Sequence, residues 1–330
     1  MVTIHDVARH VGVSAATVSN YLNRPEKVAP ATTARIRAAV EQLGFVPSLS
    51  ARQLRWQRSG IVGVSVINAS NPFFADVVTA VERVVARADL TLVTGSTHES
   101  PDQQERLVAL FEQLRFDGMV VAPSDEQMAA LVARKERGNP VVVVDQQDPA
   151  GRLSTVSLRH REGGRLAAQH LVDGGRRRLL VATGTARVQQ TRRRLEGVRD
   201  VVGATPGATL RVAYADDLSL EEGAQVGRRI AAAAPDERPD AVLAGNDMHA
   251  LGLARALLDG GVRVPGDVAL VGYDDIPFAT TGAVPLTTVR QPAREIGTTA
   301  AQILLREIDD PAAPREEVLF DPELVVRQST

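Results

Sequence analysis

The chain has no cysteine. That absence excludes a disulfide framework, a thiolate nucleophile and any thiolate metal site. Lysine is almost missing too: Lys27 and Lys135 are the only two, so arginine carries nearly all the positive charge. No apolar run approaches the ~20 residues that a membrane-spanning helix needs. The opening Met1-Val2-Thr3-Ile4-His5-Asp6 has neither the basic n-region nor the apolar h-region of an export signal. These features lead us to expect a cytoplasmic protein. Enzyme signatures are absent as well: there is no GxSxG elbow, P-loop or HExxH, and Gly60-Ile61-Val62-Gly63 is no dinucleotide fingerprint. His5, His10, His98, His160, His170 and His249 show no metal-ligand spacing, and Asp216-Asp217 are adjacent rather than paired across a site. We therefore expect no catalytic residue, no metal and no cofactor.

What is present is a charge asymmetry. The 330 residues carry a net −2 overall, yet residues 1–59 hold eight basic side chains against three acidic ones, a net +5, which leaves −7 for the remainder. A basic head on an acidic body implies that only the head meets phosphate.

The head, residues 1–46, reads as three short helices. Thr3 followed by Asp6 makes an N-terminal cap with a carboxylate in the first turn. Ile4, Val7, Ala8 and Val11 recur at helical spacing, and Gly12 supplies a tight turn. Ser14 caps a second helix with Val18 and Leu22 inside and Ala15, Ala16, Ser19 and Asn20 outside. Pro30 introduces a third helix, with Ile36, Val40 and Leu43 inside and Gly44 as its stop. This is the plan of a helix-turn-helix, whose second helix enters a DNA major groove. Residues 47–59 form a basic connector in which Arg52, Arg55 and Arg58 fall on one side of any helix. So short a helix is marginal alone and needs something to dock against.

From residue 60 the rhythm becomes strand, helix, strand. Buried-strand candidates are Ile61–Ile67, Leu90–Thr94, Met119–Ala122 and Val141–Val144, then Leu179–Ala182, Leu210–Tyr214, Ala241–Ala244 and Val268–Gly272. Helical stretches between them include Ala75–Arg87, Asp102–Leu114, Arg161–Asp173, Leu220–Ala234 and His249–Asp259; Arg192, Arg193 and Arg194 open another. Apolar strands with helical crossovers imply parallel sheets covered on both faces. The pattern runs twice, on either side of about residue 155, giving two α/β lobes with a cleft between them. Crevices at strand C-termini are natural small-molecule sites.

The wording of the motifs goes further. Ile4-His5-Asp6-Val7-Ala8, Val11-Gly12-Val13-Ser14, Thr17-Val18-Ser19, Leu22-Asn23, Leu43-Gly44-Phe45-Val46-Pro47 and Ala51-Arg52-Gln53-Leu54 closely resemble the head of the LacI/GalR family. Asn71-Pro72-Phe73-Phe74, Arg194-Leu195-Glu196-Gly197, Asn246-Asp247-Met248-His249, Tyr273-Asp274-Asp275-Ile276-Pro277 and Thr287-Thr288-Val289-Arg290-Gln291-Pro292 look like its body segments. The resemblance implies a small all-α helix-turn-helix head plus a two-lobed, parallel-sheet α/β effector domain like that of periplasmic binding proteins. It implies three domains: a DNA-binding domain at 1–46, a hinge helix or linker at 47–59, and an effector-binding and dimerisation domain at 60–330. Within the last, lobe 1 spans about 60–158 and 293–318, and lobe 2 about 159–290 and 319–330.

The resemblance also implies residue roles. The DNA-facing set is Thr3, Ser14, Ala15, Ala16, Thr17, Ser19, Asn20, Asn23, Ala51, Leu54 and Arg55, with Leu54 as a minor-groove wedge. The effector-lining set is Phe73, Asp145, Arg194, Leu218, Asn246, Asp274 and Gln291. Asp, Asn and Arg at a cleft can bracket vicinal hydroxyls, and Phe73 can stack on a sugar's apolar face. The implied partners are palindromic operator DNA, a second copy of the chain and a sugar or sugar derivative, with no membrane. The implied role is a cytoplasmic, nucleoid-associated repressor of a carbohydrate-utilisation operon. A corepressor-activated regulator and a transporter-linked solute-binding protein are the alternatives. The basic head argues against the second. No Leu heptads follow Val325-Val326-Arg327, which favours a dimer over a tail-built tetramer.

Overall fold

The computed structural model describes residues 2–45, 58–98 and 100–330, with the backbone alone at Asn23. Contacts divide the chain into a unit ending at Ser59 and a second spanning Gly60–Thr330.

The head is built from α1 (Ile4–Val11), α2 (Ala15–Asn23) and α3 (Pro30–Leu43), with a 3₁₀ turn at Pro25–Lys27. Its capping is largely as the sequence signals. Thr3 and Asp6 form a reciprocal capping box: Asp6 Oδ2 accepts from the Thr3 backbone N–H at 2.9 Å, and the Thr3 hydroxyl oxygen accepts from the Asp6 N–H at 3.4 Å. The Thr3 hydroxyl also donates to Asp6 Oδ2 at 2.7 Å, and this bond together with that from the Thr3 N–H holds the Asp6 carboxyl below its ordinary range. Gly12 and Gly44 end their helices at φ +69° and +62°, backbone that only glycine adopts cheaply. Pro30 is the first residue of α3, where its missing N–H costs nothing. Val7, Ala8, Val11, Val18, Ile36, Ala39 and Phe45 form the core. Arg35 on α3 donates to the carbonyl of Val11, satisfying the open end of α1.

The body holds two six-stranded sheets. The first contains β1 (Ile61–Val66), β2 (Thr91–Ser96), β3 (Gly118–Val121), β4 (Val141–Val144), β5 (Ser154–Leu158) and β11 (Glu317–Phe320), in the order β11-β5-β4-β3-β1-β2, all parallel. The second contains β6 (Arg178–Thr183), β7 (Thr209–Tyr214), β8 (Ala241–Ala244), β9 (Ala269–Asp274), β10 (Thr287–Arg290) and β12 (Glu323–Val325), in the order β12-β10-β9-β8-β6-β7. Its one antiparallel pair is β10 with β12. The chain passes between the sheets after Leu158, after Arg290 and after Phe320, the last beyond the expected 318 because β11 continues to pair with β5 up to Phe320.

Helices cover both faces of each sheet. In the first lobe, α4 (Pro72–Ala86) and α11 (Ala293–Asp309) pack on one face, and α5 (Pro101–Gln113) and α6 (Met128–Glu136) on the other. In the second, α7 (His160–Asp173) and α8 (Gln189–Ala204) cover one face, and α9 (Leu220–Ala232) and α10 (Asp247–Asp259) the other. Strands covered on both sides need no polar alternation, and β4 is accordingly four buried valines. Each fully buried Val or Leu contributes about 1.5–3 kcal/mol.

Two expected buried strands are not buried. β2 and β7 stand half-exposed, because each is the last strand of its sheet and has a neighbour on one side only. Strand β5 and helix α6 gave no clear sequence signal: β5 reads Ser-Thr-Val-Ser-Leu yet is wholly buried, with Ser154 Oγ donating to Glu307 Oε1 at 2.7 Å. Glu307 also pairs with Lys135 Nζ at 2.6 Å, both side chains buried, joining α6 to α11.

Candidate functional site

Strand ends of both lobes open on one crevice, occupied by a cavity of about 210 Å³. Phe73, Asp145, Arg194, Leu218, Asn246, Asp274 and Gln291 all line it. Phe73 sits in the first turn of α4, placed by Asn71, whose side-chain oxygen accepts from the Phe73 N–H at 3.0 Å. Its ring meets that of Phe74 edge-on, with centroids 5.0 Å apart and planes at 67°.

The two buried carboxylates leave their strands in unusual backbone. Asp145 follows β4 at φ +62° and Asp274 closes β9 at φ +109°. Non-glycine residues rarely adopt such angles, and where they persist the strain marks a constrained site. Each carboxylate is held from the opposite lobe. Asp274 Oδ2 accepts from Asn71 Nδ2 at 3.0 Å, and its Oδ1 from Gln291 Nε2, beside the crossing, at 2.7 Å. Asp145 Oδ2 accepts from Gln190 Nε2 at 3.1 Å, and its Oδ1 lies 3.0 Å from His160 Nε2. Burial pushes the Asp274 carboxyl up to about 6, against the opposing pull of Arg194 and the two amide donors. Burial also lowers the His160 imidazole, although Asp145 opposes it. His160 Nδ1 accepts from Arg194 Nε at 3.4 Å, while its Nε2 lies beside Asp145 Oδ1 without the alignment of a hydrogen bond.

Arg194 is fixed on three sides. Its Nη1 donates to the Gly245 carbonyl at 3.0 Å, its Nε faces His160, and its guanidinium lies 3.5 Å from the centroid of the Tyr273 ring. The acidic neighbours Glu196 and Asp200, which a structural role for Arg194 would use, pair instead with Arg193 and Arg161. Close contact of α7 and α8 sets its position: a Cβ at Gly164 would lie 2.0 Å from the Arg194 carbonyl oxygen, and one at Gly197 1.9 Å from that of Arg161.

Asn246 stands at the cavity wall and at a helix start. It caps α10, its oxygen accepting from the His249 N–H at 2.8 Å, which leaves its amide nitrogen free of the cap. Behind it Asp247 accepts from Thr288 Oγ1 at 2.6 Å and from the Ile276 N–H at 2.9 Å, pinning the ends of β8, β9 and β10 together. Burial holds its carboxyl well above the ordinary range.

Sequence reasoning missed other wall residues, among them Asn68, His98, Gln190, Thr191, Asp216 and Asp217. Asn71 had a usable signal, an Asn-Pro pair of the kind that starts a helix. Gln190 and His160 had none, since their place depends on the approach of the two lobes.

In the head, Ser14 Oγ accepts from the Thr17 N–H at 3.1 Å and lies 2.9 Å from Thr17 Oγ1. Ala16 is exposed, and Ser19 and Asn20 are half-exposed. Ala15, expected on the open face, is half-buried against the core. Thr3 is exposed at the start of α1. The side chain of Asn23, and all of Ala51, Leu54 and Arg55 with most of the connector, lie outside the described residues. Arg24, Lys27 and Arg37 are exposed on the same small domain. Among the described residues no helix is long and apolar enough to cross a membrane, and no group of His, Asp and Glu is arranged to hold a metal ion.

Comparison with known proteins matches residues 3–48 to a model of bacterial regulatory proteins of the lacI family, and residues 168–330 to a periplasmic binding protein-like domain. The chain is 34% identical over its whole length to the HTH-type transcriptional repressor PurR of Photobacterium profundum, covering 98% of that protein. It is 32% identical to the ribose operon repressor of Escherichia coli, with both chains covered in full. Among solved structures, a LacI-family transcriptional regulator from Silicibacter pomeroyi superposes with a TM-score of 0.87 at 29% identity, over 100% of this chain and 99% of that one.

Proposed function

Because the chain belongs to the lacI family of bacterial regulatory proteins, it is a DNA-binding transcription regulator, and we propose that it represses a carbohydrate-utilisation operon until a sugar-type effector enters the cleft. The observation that carries this reading is that the cavity wall is shared between the lobes. Asn71 reaches Asp274, and His160 and Gln190 reach Asp145, each across the cleft. A hydroxyl-rich molecule seated there competes for the same donors and acceptors, so its binding and the angle between the lobes are one equilibrium. The relative that controls a ribose operon fits a ligand of this class.

The head supplies the other half. Ala16 at the open start of α2 has a methyl to offer a thymine, and Asn20 an amide for an adenine edge. Ser14 and Thr17 stand where the backbone passes, and Leu54 is the minor-groove wedge. One such head spans few base pairs, so two copies on a palindrome are required, with half-sites set by the spacing of the two heads. Effector binding alters that spacing, and by linkage operator DNA weakens effector binding by the same factor.

The test is a fluorescence-anisotropy titration of the full chain on duplexes from its own genomic neighbourhood. Tight binding to one of them, falling by a factor of about 10³ or more between 50 and 200 mM salt, is expected for six or more phosphate contacts. Release by a pentose or hexose completes the reading. Failure to bind any of those duplexes at low salt would falsify it.

A further inference from the structure

We propose that Tyr273 is a positioning residue for effector binding: the face of its ring holds the Arg194 guanidinium in place at the cavity wall. This rests on reading the cavity as the effector site. Contact is the first argument. The central carbon of the guanidinium lies 3.5 Å from the centroid of the Tyr273 ring, close enough to bring the flat of the cation against the negative face of the ring. Tyr273 is 4% exposed, so water screens that attraction little. The other two holds on Arg194 act differently. Nη1 donates to the Gly245 carbonyl at 3.0 Å and Nε to His160 Nδ1 at 3.4 Å, and the N–H groups of a guanidinium lie in its own plane. Two bonds in that plane leave the group free to tilt. The ring removes that freedom, and so fixes the direction of the N–H groups that a hydroxyl-bearing ligand would meet.

The second argument is that the ring is seated while its hydroxyl is idle. Tyr273 Oη is buried and has no hydrogen-bond partner among the described residues. A guanidinium over the ring face cannot serve a hydroxyl whose lone pairs lie at the ring edge. A buried hydroxyl without a partner costs stability, so the useful contact is made by the ring. The tip of the side chain has room only because residue 163 is glycine: a Cβ there would lie 2.2 Å from Tyr273 Oη. The next residue, Gly164, makes room in turn for the backbone of Arg194. Two consecutive glycines of α7 thus set both the ring and the residue that rests on it. Asp274 follows Tyr273 directly, so the end of β9 supplies a carboxylate of the cavity wall and the support of its guanidinium together.

The experiment separates the shape of the ring from its charge. The full chain is made with Tyr273→Phe and with the pentafluoro form of that phenylalanine, each in the parent and in an Arg194→Gln background. Fluorination keeps the outline of the ring and removes the negative charge of its face. D-ribose, D-glucose, D-galactose and D-mannose are titrated by calorimetry, and melting curves are recorded without sugar. Tyr273→Phe should bind the tightest of these sugars within about twofold of the parent, and its fluorinated form about fivefold to tenfold more weakly. In the Arg194→Gln background fluorination should change affinity by less than about twofold. Without sugar, fluorination should lower Tm by about 2–4 °C more beside Arg194 than in the Arg194→Gln background. A role in packing alone gives the same response to fluorination in both backgrounds, and that result overturns the proposal. So does a fluorinated ring that binds sugar as tightly as phenylalanine does. If no sugar binds a protein that holds its duplex normally, the sugar-type effector falls, and the comparison of melting temperatures alone decides whether the ring holds Arg194.

Discussion

Replacing Asp274 by asparagine is expected to stabilise the ligand-free protein at neutral pH relative to its effect at acid pH, while weakening effector binding. Burial raises the carboxyl from an ordinary 3.8 to about 6. The folded state therefore holds the proton more tightly than the unfolded chain does. Stability falls as pH rises from about 4 through about 6, and above that the whole penalty is in place, about 3 kcal/mol for a shift of this size. Between pH 5 and pH 7.5 the linkage relation gives a change of about 1.4 kcal/mol. An asparagine cannot ionise and is free of this term. It meets two amide donors, from Asn71 and Gln291, with one acceptor instead of two, a loss that is the same at both pH values. The difference between variant and parent is thus the clean quantity. Arg194, Asp145 and Asp247 also face or adjoin the group and are present in both proteins. For a domain of this size about 1.4 kcal/mol corresponds to about 3–5 °C in Tm. Melting curves of Asp274→Asn and the parent at the two pH values should show the variant gaining that much relative to the parent on going from pH 5 to pH 7.5. An unchanged difference would refute the claim that burial penalises the charged form of this carboxyl.

Gly197→Ala should lower Tm by several degrees and weaken effector binding about tenfold or more, because its Cβ would meet the Arg161 carbonyl at 1.9 Å and drive α8, with Arg194, away from α7; thermal melts with calorimetry would check both. Lys135→Met leaves Glu307 buried without its cation and should cost about 3–5 kcal/mol in urea unfolding, whereas Lys135→Met with Glu307→Leu should recover most of that loss. Leu54→Ala should weaken binding to the operator duplex by about tenfold or more while changing affinity for random DNA little; equal losses on both would remove the wedge role.

Much of the architecture was legible along the chain. The period of 3.6 in Ile4–Val11, the caps at Thr3 and Ser14, and the glycines after α1 and α3 act over a few residues and need no distant partner. Runs such as the four valines of β4 announce a strand covered on both faces. Phe73, Asp145, Asn246, Asp274 and Gln291 were legible because each follows a strand, or starts the next helix, at a recognisable motif. Their convergence on one cavity is a property of the fold, since strand ends of a parallel sheet gather on one edge.

Local signals alone determined that the chain has a basic helical head and a twice-repeated α/β body, because helix caps and hydrophobic period depend on neighbours within a turn or two. Only tertiary structure decided that β2 and β7 are edges, that Ala15 turns partly inward, and that Gln190 and His160 reach Asp145 from the other lobe. Those facts depend on pairings between residues far apart in the chain, which no local pattern encodes.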